Sequence, residues 1–448
     1  MPRLLALVAA LVLAGLAGPA PSHAAPSRFD IGFQDPLEFP ENDPAGAYRT
    51  AREEGAHFIR LPATWGLIAG ARPPNASDPN DPHYDWSVID GRIHSILSRG
   101  MQPILVLYAP APWARPSSGR LTVNPADFAN FAEAAARRYS GGAHPRIRYW
   151  QIWNEPNLKM FLDDSPSRYR ALVNAGYSAI KAVHSDSVVI AGGLAPFSDP
   201  QNQYGIGPIP YMRSLFKAKI SFDIWSHHPY TSGGPNHKAS LSQEASMGDL
   251  PRMRKLLLSA YRSGKVRSHG APGFWVTEFG WDTKPPDPGG VPLAQQARWT
   301  AEAMYRMWQS NIDTMIWFKL RDDGFNGDWG AGFQGGIYLN TVDLYANEKR
   351  KPVADVVRFP FSAVPEGGRV SVWGRTPHSK SGKVTIEMKR GSGWVSIANV
   401  SAGSHGIFRL KLNGRHGARL RARSGGSTSY PFTAVATKDM PVRPFGGG

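Results

Sequence analysis

The sequence predicts an α/β fold: a closed (β/α)8 TIM barrel followed by a small C-terminal β-sandwich. Three observations carry that expectation. Eight apolar runs of strand length alternate with helical stretches across residues 28–358. Strands that alternate with helices imply a parallel sheet covered by helices, and eight such units over about 330 residues suit a closed barrel better than an open sheet. No glycine-rich phosphate loop follows the first run, which argues against a dinucleotide-binding half. After Pro360 the apolar period becomes two, with Gly/Ser turns between short runs, as in antiparallel strands.

Taken in order, the first strand is expected at residues 28–33, a helix at 45–54 and a second strand at 57–61. The helix at 86–98 keeps Val88, Ile89, Ile93 and Ile96 on one stripe. Strand three covers 102–108. Pro125 opens a helix carrying Phe128, Phe131, Ala134 and Ala135, which Ser140-Gly141-Gly142 stops. Strand four, 147–153, ends abruptly at Asn154-Glu155-Pro156-Asn157, because Pro156 has no N–H for a neighbouring strand. Ser165 and Ser167 are candidate caps around Pro166 for a helix at 165–184. Strand five (188–193), a short helix (211–217) and strand six (221–228) follow. Asp249 is the expected N-cap of a helix at 249–263. Strand seven (274–278), a long helix (293–309), strand eight (314–319) and a short helix (351–358) complete the barrel, assigned to 25–360. Residues 361–368 read as a linker. Strands at 370–373, 383–389, 394–400, 407–412, 418–422 and 430–435 make up the sandwich at 366–436, with Gly391-Ser392-Gly393 as a hairpin turn. Residues 437–448 are expected to be a loose tail.

The N-terminus reads as an address. Arg3 precedes an unbroken apolar run, Leu4 to Leu16. Pro19 to Ala24 then supply small and helix-breaking residues, and Ser22-His23-Ala24 fits a small-x-small cleavage site. The run is short for a bilayer span of about 20 residues. The expectation is a signal peptide over 1–24, cleaved to release a secreted chain beginning near Ala25. The 448 residues include no cysteine, which excludes a disulfide framework and thiol chemistry. At 42% hydrophobic and 19% charged, the chain can build a sizeable core. The formal charge is +16, and residues 366–448 carry +11 of it, with 14 Lys/Arg against 3 Asp/Glu. A basic surface suits an anionic glycan or cell-wall polymer as partner, or simply keeps the protein soluble. No compact basic run or nucleic-acid motif is present, so nucleic acid is not an expected partner.

Sites in such barrels form where the strands end. The polar residues there are Arg60, Tyr108, Asn154-Glu155, His227-His228 with Tyr230, Glu278, and Trp317 with Lys319. Taken alone, Glu155 reads equally well as a turn cap or as a catalytic carboxylate. Its partner settles the emphasis: Glu278 lies 123 residues on, three units of about 41, so the two acids face each other across the mouth. Two facing carboxylates are what glycoside hydrolysis needs. Trp65, Trp113, Trp153, Tyr230, Trp281 and Trp317 lie at or just past strand ends and could pack on sugar rings, though each could equally be core.

Ile152-Trp153-Asn154-Glu155-Pro156 together with Val276-Thr277-Glu278-Phe279-Gly280-Trp281 resembles the two signatures of retaining glycoside hydrolases of clan A. Trp153 to Leu158 and Tyr108 to Ala114 are most similar to family 39, and His228-x-Tyr230 with Arg60 is more like family 5. The resemblance implies Glu155 as acid/base and Glu278 as nucleophile, hence a covalent glycosyl-enzyme and net retention. It implies that Asn154 holds the sugar 2-hydroxyl, that Tyr230 and Arg60 orient and tune Glu278, that His228 lines the site, and that Trp317 is the platform of the innermost subsite. Tyr108, Trp113 and Trp281 complete the expected substrate-binding set. Family 5 often places His after strand three. Here Tyr108 stands, which leaves that contact open.

His227-His228 lacks a third ligand at metal-like spacing, and neither a metal nor any other cofactor is expected. Residues 322–328 are acidic but lack the closing Glu of a calcium loop, and read as a substrate-facing loop. Asn75-Ala76-Ser77 and Asn399-Val400-Ser401 are glycosylation sequons only in a glycosylating host. The expectation is a secreted retaining O-glycoside hydrolase of a polysaccharide or oligosaccharide. The competing class is a non-catalytic glycan- or envelope-binding protein on a degenerate barrel, which carboxylates set far apart would favour.

Overall fold

The computed structural model describes residues 25–198, 203–340 and 348–442. The expected signal segment, parts of two long loops and the last six residues of the tail therefore lie outside the described residues. Eight parallel strands close into a barrel: β1 (Asp30–Gln34), β2 (Phe58–Thr64), β3 (Gln102–Tyr108), β4 (Tyr149–Ile152), β5 (Val188–Leu194), β6 (Ile224–His227), β7 (Gly273–Val276) and β8 (Thr314–Phe318). Each strand pairs with its sequence neighbours, and β1 closes on β8 from Asp30↔Thr314 to Gln34↔Phe318. Helices α1 (Pro44–Glu53), α2 (Ser87–Leu97), α3 (Pro125–Arg138), α4 (Pro166–Val183), α5 (Pro208–Leu215), α6 (Leu250–Arg262), α7 (Leu293–Gln309) and α8 (Pro352–Arg358) follow the strands in turn. No helix among the described residues is long and apolar enough to cross a membrane.

Side chains alternate across each strand, so one set fills the barrel and the other packs under the helices. The floor of the barrel is Phe58, Ile104, Ile190, Ile224, Trp275 and Ile316. Phe58 meets Tyr149 and Trp275 at ring separations of 5.0 and 5.3 Å. β1 crosses this packed interior at Gly32, where a Cβ would come within 2.5 Å of Ile316 and 2.6 Å of the Phe58 carbonyl. One step further along the same inward rows come Gln34, Arg60, Gln151, Ser226 and Thr277, with Val106 and Phe318 among them, so a largely polar layer sits directly on the apolar floor.

Helix starts follow local chemistry. Asp43, Asn124 and Ser165 each accept a backbone N–H of the helix they precede, and each precedes a proline at the first helical position. Asp249 differs from expectation. Its own backbone is already helical in a 3-10 turn, and its carboxylate accepts from Ser246 N and Ala239 N, fastening that turn instead of capping α6.

Residues 361–366 are not a linker. They form β9 (Phe361–Glu366), the first strand of a three-stranded antiparallel sheet with β10 (Arg369–Arg375) and β13 (Ile407–Asn413). Gly367-Gly368 is its hairpin turn, with φ of 56° and 77°. A second sheet contains β11 (Gly382–Arg390), β12 (Gly393–Ala402), β14 (Arg419–Ser424), β15 (Ser427–Thr428) and β16 (Phe432–Thr433). The two sheets share one continuous apolar core with the barrel. Trp373 sits 5.5 Å from Phe29 and 5.9 Å from Trp308, ring to ring. The described part of the tail is also tied down: Val442 N donates to Ser232 O at 2.9 Å, and the Asp439 carboxylate takes Gly234 N and His237 Nδ1, each at 2.7 Å.

Candidate active site

β4 ends in two left-handed residues, Trp153 (φ 70°) and Glu155 (φ 40°), on either side of Asn154. Non-glycine residues in this region cost on the order of 1–3 kcal/mol each, so the surroundings must hold them. Trp153 N donates to Leu107 O, and Glu155 N donates to Gly193 O at 3.0 Å. The amide of Asn157 bonds Ala195 and Ile206, and Tyr211 Oη donates to Pro156 O. The effect is to turn Asn154 and Glu155 into the mouth while Trp150 and Ile152 stay in the outer core. β5 gives way at Gly193, where a Cβ would come within 2.8 Å of Gln151 Nε2 and 3.4 Å of His228 Nε2.

Glu278 arrives from β7 on the opposite side. Carboxylate oxygens of Glu155 and Glu278, and a ring nitrogen of His228, all lie within 4.8 Å of one another. Arg60, 2% exposed, organises the group. Its Nη1 donates to Glu278 Oε1 at 2.5 Å and to Gln34, Nη2 to Asn154 Oδ1 at 2.7 Å, and Nε to Gln151 Oε1 at 2.9 Å. Because Arg60 occupies the Asn154 oxygen, the NH2 group is what Asn154 can offer a ligand. His228 is wholly buried, with Nδ1 2.9 Å from Glu155 Oε1 and 3.6 Å from Glu278 Oε2, and Nε2 3.1 Å from Thr277 Oγ1. Tyr230 Oη reaches Glu278 Oε2 at 3.4 Å.

Burial sets the protonation of several groups around the cleft. Burial raises the Glu155 carboxyl to about 7, against the opposing pull of Arg60. Burial lowers His228 to about 3, so its ring is neutral, and the Glu155–His228 contact is a hydrogen bond and not an ion pair. Burial, with the two carboxylates adding to it, holds the Tyr230 phenol well above its ordinary value, which keeps it a donor. Three close oxygen and nitrogen ligands could in principle hold a cation. Here the Arg60 guanidinium already supplies the positive charge at Glu278.

A cavity of about 190 Å³ lies over these groups, lined by Gln34, Arg60, Tyr108, Asn154, Glu155, Phe161, Glu278 and Phe318 among others. It shares Pro36, Arg60, Pro62 and Tyr108 with a second cavity of about 230 Å³ that reaches Phe39 and Leu67. Three larger hollows lie elsewhere, and neither Glu155 nor Glu278 lines them.

The strand ends thus bring together Arg60, Tyr108, Asn154, Glu155, His228, Tyr230 and Glu278. His228 and Tyr230 lie behind the carboxylates, and neither lines the cavity. The expected aromatic platform is corrected. Trp317 is 0% exposed, donates Nε1 to Gly335 O, and belongs to the outward row with Met315. Its neighbour Phe318 follows Thr314 and Ile316 on the inward row and lines the cavity. Strand parity was the signal that could have found Phe318. Trp281 is likewise core, 4.7 Å from the Phe279 ring, with Nε1 on Gly233 O. Trp65 and Trp153 are fully buried. Trp113 stands apart in a rim hollow under the Arg72 guanidinium, 4.5 Å from its ring centre. Gln34 and Phe161 carried no sequence signal, since one ends β1 and the other sits in the loop after β4. In the loop after β8, Asp322 pairs with Lys351 at 2.6 Å and Asp323 receives Phe333 N, so these acids hold the loop together.

A family model described as "Cellulase (glycosyl hydrolase family 5)" matches residues 39–324. Among solved structures, the chain is similar to the GH39 enzyme from Xanthomonas axonopodis pv. citri, with a TM-score of 0.53 and 15% identity over 87% of this chain and 93% of that one. It is also similar to a monomeric beta-xylosidase from Caulobacter crescentus CB15, with a TM-score of 0.52 and 16% identity over 87% and 95%. At such identities the likeness is one of fold. No curated protein matches the sequence.

Proposed function

The chain belongs to glycosyl hydrolase family 5, and from that premise we propose that it is a secreted retaining O-glycoside hydrolase of an oligo- or polysaccharide, acting by double displacement. Glu278 attacks the anomeric carbon while Glu155 protonates the departing glycosidic oxygen. The resulting glycosyl-enzyme is then opened by water, whose proton returns to Glu155. The observation that carries this reading is the spacing of the acids, with reactive atoms within 4.8 Å. Inverting enzymes keep their carboxyl groups about 6.5–9.5 Å apart to seat a water. The buried, proton-retaining Glu155 supports its role as the acid, and the 2.5 Å hydrogen bond from Arg60 to Glu278 supports an anionic nucleophile.

Asn154 would offer its NH2 group to the sugar hydroxyl next to the anomeric carbon, and Tyr108, Phe161 and Phe318 would enclose the ring. Tyr230 and neutral His228 would position the two carboxylates from behind. Secretion rests on the N-terminal sequence alone, and N-terminal sequencing of exported protein should begin at Ala25.

The deciding experiment follows product anomers by NMR on glycosides that the purified protein cleaves. Retention is expected, and the first-formed product having the opposite anomeric configuration would overturn the mechanism. E278Q should abolish turnover, and E155Q should lower kcat by about 10²–10⁴-fold. Undiminished turnover in either variant would remove that residue from its role.

A further inference from the structure

The basic excess of the C-terminal region is not spread evenly over its two sheets. On the outward face of the β11–β12–β14 sheet, alternation brings Lys383, Glu387 and Lys389 of β11 beside Arg421 and Arg423 of β14 and Trp394 of β12. The pairing registers are Lys389↔Trp394, Glu387↔Arg421 and Thr385↔Arg423. The opposite face of these strands, with Val384, Ile386, Leu420 and Ala422, is buried. Arg419, exposed at the start of β14, extends the row.

Two features distinguish this face from an ordinary solvated one. First, it already receives a carboxylate. Glu387, its only acid, takes Arg421 Nε at 2.8 Å and has Arg423 Nε at 3.3 Å. That leaves Lys383, Lys389 and Arg419 with no acidic partner among the described residues. Second, it carries a partly exposed indole. Trp394 lies with its ring centre 4.2 Å from the Arg421 guanidinium and 5.5 Å from Lys389 Nζ. A partly exposed aromatic ring set among cations, with polar Ser396 and Asn399 along the same strand, offers apolar surface to a sugar ring and charges to what the ring carries. A lipid surface would call for apolar insertion, and single-stranded nucleic acid for several stacking rings; this face has one.

We propose that this sheet face is a binding surface for a polysaccharide whose sugars bear carboxylate groups, with Trp394 as the ring platform and Lys383, Lys389 and Arg419 as carboxylate receivers. It would hold the enzyme on an acidic glycan independently of the catalytic cleft. The idea extends the proposed function without resting on the double-displacement steps.

The test measures retention of the full-length protein on polygalacturonate by affinity electrophoresis across a salt series. An E278Q background prevents consumption of the polymer. Parallel gels carry a neutral polysaccharide, dextran sulfate, duplex DNA and, in a flotation assay, phosphatidylglycerol vesicles. Retention on polygalacturonate that weakens with salt is expected, with little on the neutral polymer. W394A should weaken it by about 10-fold, the equivalent of one good ring contact, and K383A/K389A/R419A should abolish it. In the native-Glu278 background both variants should keep wild-type turnover and melting temperature. The proposal is overturned if retention is absent at low salt, if W394A binds as wild type does, or if DNA, dextran sulfate or vesicles bind as tightly as polygalacturonate. A loss of glycosidase activity with polymer binding intact would count against the proposed function alone.

Discussion

Glu155 shows how one residue's surroundings set its chemistry. Burial lifts its carboxyl from 4.5 to about 7, and in the proposed role as the acid it works only while protonated. The alkaline limb of kcat/KM should therefore fall with a midpoint near pH 7 and be missing from the residual activity of E155Q. The same shift links pH to stability. A carboxyl whose folded value is raised contributes fully below its unfolded value, and that contribution is lost as pH rises through the folded value. Between about pH 4.5 and 7 the loss is on the order of 3 kcal/mol. E155Q should thus melt like wild type near pH 4 and at a higher temperature above pH 7; equal melting at pH 8 would contradict the buried, raised carboxyl. Phe318 and Trp317 make a second contrast. F318A should lower kcat/KM with little change in melting. W317A removes a fully buried indole and should cost about 3–5 kcal/mol of stability. The opposite pattern would put the indole in the cleft. These neighbours also mark a limit of legibility. A tryptophan at a strand end attracts notice, but which of two adjacent rings faces inward depends on parity counted from the barrel floor.

At the scale of elements, the β4 and β5 ends act together. Trp153 and Glu155 hold left-handed backbone while Leu107 O and Gly193 O accept their N–H groups, and the Asn157 amide fastens the following turn to Ala195 and Ile206. G193A would force a Cβ against Gln151 at a backbone φ of 59°. It should destabilise by about 1–3 kcal/mol and lower kcat more than it raises KM, because it displaces Gln151 and His228 from the groups they orient. An unchanged kcat would show that the site tolerates a shifted β5. The strand four terminus was legible from Pro156, and the pairing of Glu155 with Glu278 from their separation in the chain. The dependence on Gly193 was not, because it is a contact between strands and leaves no local pattern.

At the scale of the molecule, the barrel and the antiparallel sheets share one core and one buried cation. Arg375, at the end of β10, is 0% exposed and donates to Phe29 O and Val357 O, each at 3.3 Å. Burial lowers its guanidinium to about 10, against the pull of Asp30. The whole chain should unfold in a single calorimetric transition. R375A, which opens a void between β1, α8 and β10 and leaves Phe29 O and Val357 O without their donor, should lower its midpoint by several degrees, consistent with a cost of about 3 kcal/mol. Two separate transitions in the wild type would mean that the shared core does not couple the parts. Residues 361–368 looked like a linker because Pro365 and Gly367-Gly368 punctuate them. They form a hairpin because Phe361, Ala363 and Val364 find α7 and β10 to pack against.

By itself the sequence determined the eight alternating units, the switch to antiparallel strands and the two acids that end β4 and β7. These depend on local periodicity and on spacing along the chain, which are written residue by residue. Only the tertiary structure decided that Arg60 ties Gln34, Gln151, Asn154 and Glu278 together, that His228 and Tyr230 sit behind the carboxylates, and that Phe318 lines the cleft. Those outcomes depend on which inward side chains meet across the barrel, and hence on strand register and packing between residues as far apart as Arg60 and Glu278, where no local pattern carries the information.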